Sequence, residues 1–362
     1  MTCGHELASR HELCFAHELF ASEHELANAM KNIARGVYKQ LLLNEVGVRP
    51  RGSRSFMIFS ILLLCTLTFL NGWTDVPNSI ATTVFTNALT MKKACFLSAI
   101  CNLFGLVMSL FFGMPIAKTI FEIADLGKEP SASVSAVLLS VISVSVLAWI
   151  FSMPSSESHS LVSSVAGVSF ALTGKIDLAP FLKIVIYMIL SCIFSLLVSY
   201  LAVRLLKNRT LPFKKFQILT CATNSFAHGA QDGQKLVCVM LFILGNGRRE
   251  TLQAVITVAV FLFIGTALGG GKITEMMGEG ICTLNEKSGF ASDICATLCL
   301  ILCSIFGFPV STSNIKACSI LGAGMGDNAI MNYKSVMKIV FVAFATVPLS
   351  IVMGIIYLRI LT

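Results

Sequence analysis

Long apolar runs separated by short polar breaks fill the chain from residue 56 to its end. The longest cover residues 56–70, 94–117, 134–153, 181–206, 251–268, 291–308 and 335–361. These approach or exceed the about 20 mainly apolar residues that a membrane-spanning helix needs. Shorter apolar pieces, at 76–91, 160–173, 216–228, 236–245 and 315–324, lie between them. The pattern predicts an all-α integral membrane protein with about 10–12 helical membrane segments, some of them broken or re-entrant.

Composition agrees with that reading. Hydrophobic residues make up 55% of the 362 and charged residues 13%. A soluble domain is usually about 45–50% apolar and about 25% charged. The net charge of +8 is concentrated at two places. Lys31, Arg35, Lys39, Arg49, Arg51 and Arg54 precede the first run, and Arg204, Lys207, Arg209, Lys214 and Lys215 fill the middle of the chain. Basic residues flanking spans stay on the cytoplasmic side, which places the N-terminus in the cytosol. With that assignment the charge calls for no nucleic-acid partner. Thirteen cysteines include no CxxC pair, and most lie within apolar runs. Cys295, Cys299 and Cys303 would share one helix face, where buried cysteine behaves as a small hydrophobe. No metal centre and no resident cofactor are read from them.

Residues 1–30 carry His-Glu-Leu four times, beginning at His5, His11, His17 and His24. Zinc-peptidase chemistry needs two histidines four apart on one helix face. Spacings of six and seven do not supply that, and the acids within the segment exclude a signal peptide. The expected layout is a cytosolic tail at 1–54, a membrane repeat at 55–203, a basic linker at 204–215 and a second membrane repeat at 216–362.

The duplication rests on two signals that each occur twice in the same order. Asn71-Gly72-Trp73-Thr74-Asp75-Val76-Pro77-Asn78-Ser79 is answered by His228-Gly229-Ala230-Gln231-Asp232-Gly233-Gln234-Lys235. Met153-Pro154-Ser155-Ser156-Glu157-Ser158-His159 is answered by Phe308-Pro309-Val310-Ser311-Thr312-Ser313-Asn314. The aspartates are 157 positions apart (232 − 75) and the prolines 155 (309 − 154). Four flanking apolar runs match at similar offsets. Duplicated membrane halves with motifs interrupting apolar runs point to a secondary transporter with its site near the midplane.

Each motif type suggests its own chemistry. A proline inside an apolar run ends the preceding helix, and the hydroxyl residues after it are good N-caps for a new one. Ser155, Ser156 and Ser158, with Ser311, Thr312 and Ser313, therefore crowd hydroxyls and free N–H groups at two half-helix starts. Such starts attract anions, phosphate in particular. Asp75 and Asp232 are ionisable groups among spans, which are costly and usually functional. With Thr74, Asn78 and Gln231 beside them they suit a hard cation, and they also lie within reach of an anion. Glu157, His159 and His228 are candidates for proton relay. A hydrolase using Ser156 and His159 is disfavoured because the second copy has Asn314 where the first has His159.

These motifs resemble the signatures of the inorganic phosphate transporter (PiT) family. Gly72–Ser79 and His228–Lys235 look like its duplicated Gly-Ala-Asn-Asp signature. The two Pro-Ser motifs look like its Pro-x-Ser-Thr-Thr-His signature. The similarity covers residues 56–362, with departures at Trp73, Thr74, Pro77, Gln231 and Asn314. The resemblance implies an inverted repeat, a homodimer in the plasma membrane, and uptake of inorganic phosphate with Na+ or H+ by alternating access. It also implies cation and phosphate roles for Asp75, Asn78, Ser156, Ser158, Asp232, Ser311, Thr312 and Ser313. A sulfate permease of the same fold is the alternative reading of the tetrahedral-anion site.

Overall fold

The computed structural model describes residues 54–362, apart from residues 112, 124–125, 127–129, 176–177 and 246. The His-Glu-Leu repeats lie outside the described residues. Those described form thirteen helices and no named strand. The first half holds α1 (Arg54–Asp75), α2 (Pro77–Phe85), α3 (Met91–Phe111), α4 (Pro115–Ile123), α5 (Pro130–Ile150), α6 (Glu157–Thr173) and α7 (Leu178–Leu205). The second holds α8 (Phe213–Leu244), α9 (Arg248–Leu268), α10 (Lys272–Gly278), α11 (Glu286–Phe306), α12 (Thr312–Gly326) and α13 (Tyr333–Leu361). Among the described residues, seven helical stretches are long and apolar enough to cross a membrane. The outward faces of α7 and α13 are correspondingly apolar. On α7, Leu182, Ile186, Ile189, Ile193, Leu197 and Leu201 are exposed, and on α13 Met337, Phe341 and Phe344. That stripe matches contact with lipid rather than water.

The element order repeats. α1 with α2 corresponds to α8, α3 to α9, α4 to α10, α5 to α11, α6 to α12 and α7 to α13. Packing partners are exchanged between the halves: α3 lies on α8 as α9 lies on α1, and α7 lies on α12 as α13 lies on α6. Glycines make both crossings close. A Cβ on Gly105 would meet the Phe226 carbonyl oxygen at 1.9 Å, and one on Gly265 would meet that of Phe69 at 2.1 Å. The facing glycines, Gly229 and Gly72, are 157 positions apart (229 − 72), and an added Cβ there would meet the carbonyl oxygens of Asn102 and Leu262 at 2.0 and 2.6 Å. The second crossing is made by Gly167 against Ile351 and by Gly322 against Leu196. Its two members are 155 apart on both sides (322 − 167 and 351 − 196). Backbones approach this closely only over small residues, a common device where no hydrophobic force drives helices together.

One expectation changes. The apolar pieces at 216–228 and 236–245 do not flank a break, because α8 runs unbroken through 32 residues. In the first copy the helix is interrupted between Asp75 and Pro77. Pro77 has no N–H to give the preceding turn. Its counterpart at offset 157 is Gln234, whose Nε2 instead donates to the Ala230 carbonyl 3.0 Å away and reinforces the helix.

Candidate functional site

Both Pro-Ser motifs break their helices as the prolines require. α5 ends at Ile150 and α6 begins at Glu157, while α11 ends at Phe306 and α12 begins at Thr312. Ser156 caps α6 by accepting from the His159 N–H at 3.1 Å, and Ser311 caps α12 by accepting from the Asn314 N–H at 3.2 Å. The amides of the first turn have no partner within the helix, so the N–H groups at 157–158 and 312–313 are left to other acceptors. The two starts meet. Ser158 Oγ donates to the Val310 carbonyl at 2.7 Å, and His159 Nδ1 lies 3.4 Å from Asn314 Nδ2. His159 and Asn314 are counterparts (314 − 159 = 155), so equivalent positions of the two halves face each other here.

Each Asp motif reaches the Pro-Ser motif of the other half, and the two arrangements match residue by residue. In the first, Asn78 Nδ2 donates to Asp75 Oδ1 at 3.2 Å and to Ser313 Oγ at 2.9 Å. Ser313 Oγ donates in turn to Asp75 Oδ1 at 3.0 Å, and Asn71 Nδ2 to Asp75 Oδ2 at 3.2 Å. In the second, Lys235 Nζ donates to Asp232 Oδ1 and to Ser158 Oγ, both at 2.6 Å. His228 Nδ1 stands 3.3 Å from Asp232 Oδ2. That pair is close but misaligned for a hydrogen bond, since both atoms also lack a hydrogen-bond partner. Asn71 and His228, Asp75 and Asp232, and Asn78 and Lys235 are each separated by 157 positions.

The two clusters adjoin. Ligand atoms of Asp75, His228 and Asp232 all lie within 4.8 Å of one another, and all three residues are buried. Glu157 joins the first cluster, its Oε2 accepting from Asn71 Nδ2 at 2.8 Å. Around these side chains, several buried oxygens have no donor: Asn71 Oδ1, Asn78 Oδ1, Asn224 Oδ1, Glu157 Oε1 and Asp232 Oδ2. Asn224 is tied in through its Nδ2, which donates to the Asn78 carbonyl at 3.0 Å. Buried acceptors are normally satisfied. Oxygens in this number suit a cation or a ligand that carries donors.

Not every residue singled out in the sequence reaches the cluster. Thr74 Oγ1 turns back to the Leu70 carbonyl of its own helix at 2.9 Å. Gln231 is occupied elsewhere, donating to the Phe308 carbonyl and accepting from Ser304. Neither side chain is offered to a cation shared by Asp75 and Asp232. Ser155 and Thr312 are buried at the half-helix starts.

Lys235 is the site residue that motif reading passed over. Its signal was present, because the offset that pairs the aspartates also pairs it with Asn78. A second buried ion pair was also passed over. Asp293 on α11 bonds Lys316 on α12 and accepts from Thr82 and Thr220 at 2.6 and 3.1 Å. Thr82, Lys316 and Thr220 lie one turn along α2, α12 and α8 from Asn78, Ser313 and Asn224. This knot therefore clamps the helices that carry the first cluster.

Comparison with known proteins supplies the context. A model described as the phosphate transporter family matches residues 71–212 and 207–354. A "Probable low-affinity inorganic phosphate transporter" of Bacillus subtilis (strain 168) is 28% identical over 319 residues, covering 82% of this chain and 96% of that protein. A protein of the same description from Rhizobium meliloti (strain 1021) is 32% identical over 274 residues, covering 71% and 81%. A solved structure titled "The sodium-dependent phosphate transporter" superposes with a TM-score of 0.74 at 21% identity, covering 85% of this chain and 99% of that one. At that identity the likeness shows the fold, while the family model spans both halves and every motif described above. The chain belongs to the phosphate transporter family and is a membrane transporter rather than an enzyme.

Proposed function

We propose that this chain carries inorganic phosphate across the plasma membrane together with Na+ or H+, by alternating access around the buried site. One observation carries the reading: two hydroxyl-capped helix starts meet beside two buried aspartates, amid oxygens that lack donors. The helix starts supply N–H groups and partial positive charge to an anion. Asp75, with Asn78 beside it and Asp232 adjoining, supplies oxygens to the cation, which travels as cargo and is not a resident cofactor. Na+ is the first cation to test, because the structural neighbour is titled sodium-dependent. Glu157, His159 and His228 are the titratable groups that could take up a proton, in contact with Asn71, Asn314 and Asp232 respectively. The remaining expectations, an inverted repeat, a homodimer and a cytosolic N-terminus, belong to the same proposal.

Sulfate would fit the helix starts as well as phosphate does. The donor-less oxygens distinguish the two. Phosphate near neutral pH carries at least one O–H that Glu157 Oε1 or Asp232 Oδ2 can accept, whereas sulfate carries none and would face those carboxylates unrelieved. Purified full-length chain in proteoliposomes should take up radiolabelled phosphate under an inward Na+ or H+ gradient, with sulfate a poor competitor. Absence of uptake under both gradients would refute transport of phosphate, and stronger inhibition by sulfate than by unlabelled phosphate would exchange the substrates.

Ser156→Asp and Ser311→Asp separate helix capping from anion binding. Aspartate caps a helix about as well as serine and favours the positive end of the dipole, so the caps are kept, while burying the added carboxylate at these positions lowers thermal stability. A new negative charge roughly 5 Å from the anion costs about 3 kcal/mol at an effective dielectric of about 20. That corresponds to roughly a hundredfold loss of phosphate affinity. Uptake kinetics beside a melting curve give the answer. Unchanged uptake in both variants would move the anion away from these helix starts.

A further inference from the structure

The internal symmetry of the site is broken at one position that changes its charge. Asn78 and Lys235 occupy equivalent places, and each bridges the aspartate of its own half to the serine of the opposite half. Around Asp75 the bridging group is a neutral amide, the other partners, Asn71 and Ser313, are neutral, and Glu157 adds a second carboxylate through Asn71. Around Asp232 the bridging group is an ammonium. Asp75, Asp232 and Lys235 are buried, at 3%, 4% and 4% exposure, and Glu157 is half-buried. A buried carboxylate in a membrane needs a compensating charge. Asp232 has one in direct contact, whereas the direct partners of Asp75 among the described residues are all neutral.

From this we infer that Lys235 is a tethered cation: its ammonium permanently fills the place in the second half where a mobile cation would otherwise neutralise Asp232. The inference rests on the cation-coupled reading above and deepens it. A mobile cation is required only by the Asp75–Glu157 side, so the two halves contribute unequally to coupling although their folds correspond. The contacts of Lys235 also fit a structural cation. Besides Asp232 and Ser158 its Nζ donates to the Val310 carbonyl at 3.0 Å, which gives its three donors three oxygen acceptors. No donor of the ammonium is left over for phosphate.

Lys235→Asn restores the residue found at the equivalent position and is the test. In proteoliposomes, wild-type phosphate uptake should depend on Na+ with a Hill coefficient near one. The variant should need more Na+ and show a Hill coefficient rising towards two, because Asp232 now requires a cation from solution. A raised KM for phosphate with unchanged Na+ dependence would make Lys235 an anion ligand and overturn the inference. So would a wild type that is already sigmoidal in Na+. A second measurement does not rely on transport: melting of detergent-purified protein without phosphate, with NaCl replacing N-methylglucamine chloride at constant ionic strength. Lys235→Asn should be stabilised by Na+ more steeply than wild type, and the doubly neutral Asp232→Asn/Lys235→Asn should lose that increment. Equal Na+ responses in single variant and wild type would overturn the proposal even if wild type carried no phosphate. If Lys235→Asn can be recovered folded only in Na+, the proposal is supported. Recovery of the double variant alone, with the single variant lost in both salts, counts against it.

Discussion

Asp75→Asn should reduce cation-driven phosphate uptake by roughly ten- to a hundredfold while leaving the protein folded. The substitution keeps the shape of the side chain and one of its oxygens. It removes a charge whose direct hydrogen-bond partners, Asn71, Asn78 and Ser313, are all neutral. A contact to a charged group is worth about 1.5–3 kcal/mol, which at about 1.4 kcal/mol per decade gives the stated range. Stability should be kept or improved, because a buried unpaired carboxylate costs free energy that an amide does not. Asp232→Asn should behave differently. It strips Lys235 of its counter-charge and leaves a buried ammonium, a change of about 3–5 kcal/mol against the folded state. Parallel uptake and melting measurements on the two variants check both statements. If Asp75→Asn transported normally, the coupling cation would not be held at this carboxylate. Equal stability in the two variants would remove the charge asymmetry between the halves.

Gly105→Val and Gly229→Val should each prevent accumulation of folded protein. The two glycines face one another's helices where α3 crosses α8. A Cβ at Gly229 would lie 2.0 Å from the Asn102 carbonyl oxygen and 2.6 Å from its Cα. These are backbone atoms, so relief requires the helices to separate rather than a side chain to turn. Overpacking of a tight core costs about 1–3 kcal/mol even where side chains can yield, and here they cannot. Separation would also pull α8, with Asp232 and Lys235, off its place beside the α6 start. Gly174→Ala is the control: Gly174 has a φ of 70° at the end of α6 with nothing within 4 Å of an added Cβ. Its cost should be only the left-handed backbone term, about 1 kcal/mol. Detergent size-exclusion yield and melting temperature give the comparison. A monodisperse Gly229→Val protein with native stability would show that the α3–α8 approach is looser than described.

The membrane class and the repeated element order were legible in the chain because both depend on local pattern. Charge-free runs of spanning length report a hydrocarbon environment directly, and a duplication copies its spacing into the sequence. The half-helix starts at Ser156 and Ser311 were legible for the same reason: proline removes a donor wherever it stands, and the serine that follows caps whatever helix begins there. The single correction to the helices also follows a local rule, once Pro77 is set against Gln234. Thr74 shows where local reading stops. It sits beside Asp75 in sequence, but on a helix the adjacent residue faces about 100° away, and its hydroxyl turns to the Leu70 carbonyl instead.

What the sequence by itself determined is an α-helical membrane protein made of two similar halves, each with one acidic motif and one hydroxyl-rich break. Only the tertiary structure decided that each motif is completed by the other half: Asp75 with Ser313, Asp232 with Ser158 through Lys235, and His159 facing Asn314. Hydrophobic runs and prolines act over a few residues, so they fix helices and their ends. They carry no information about which buried face meets which across 77 residues or more. That is settled by where glycines let backbones touch and by the need of each buried polar atom in the membrane for a partner.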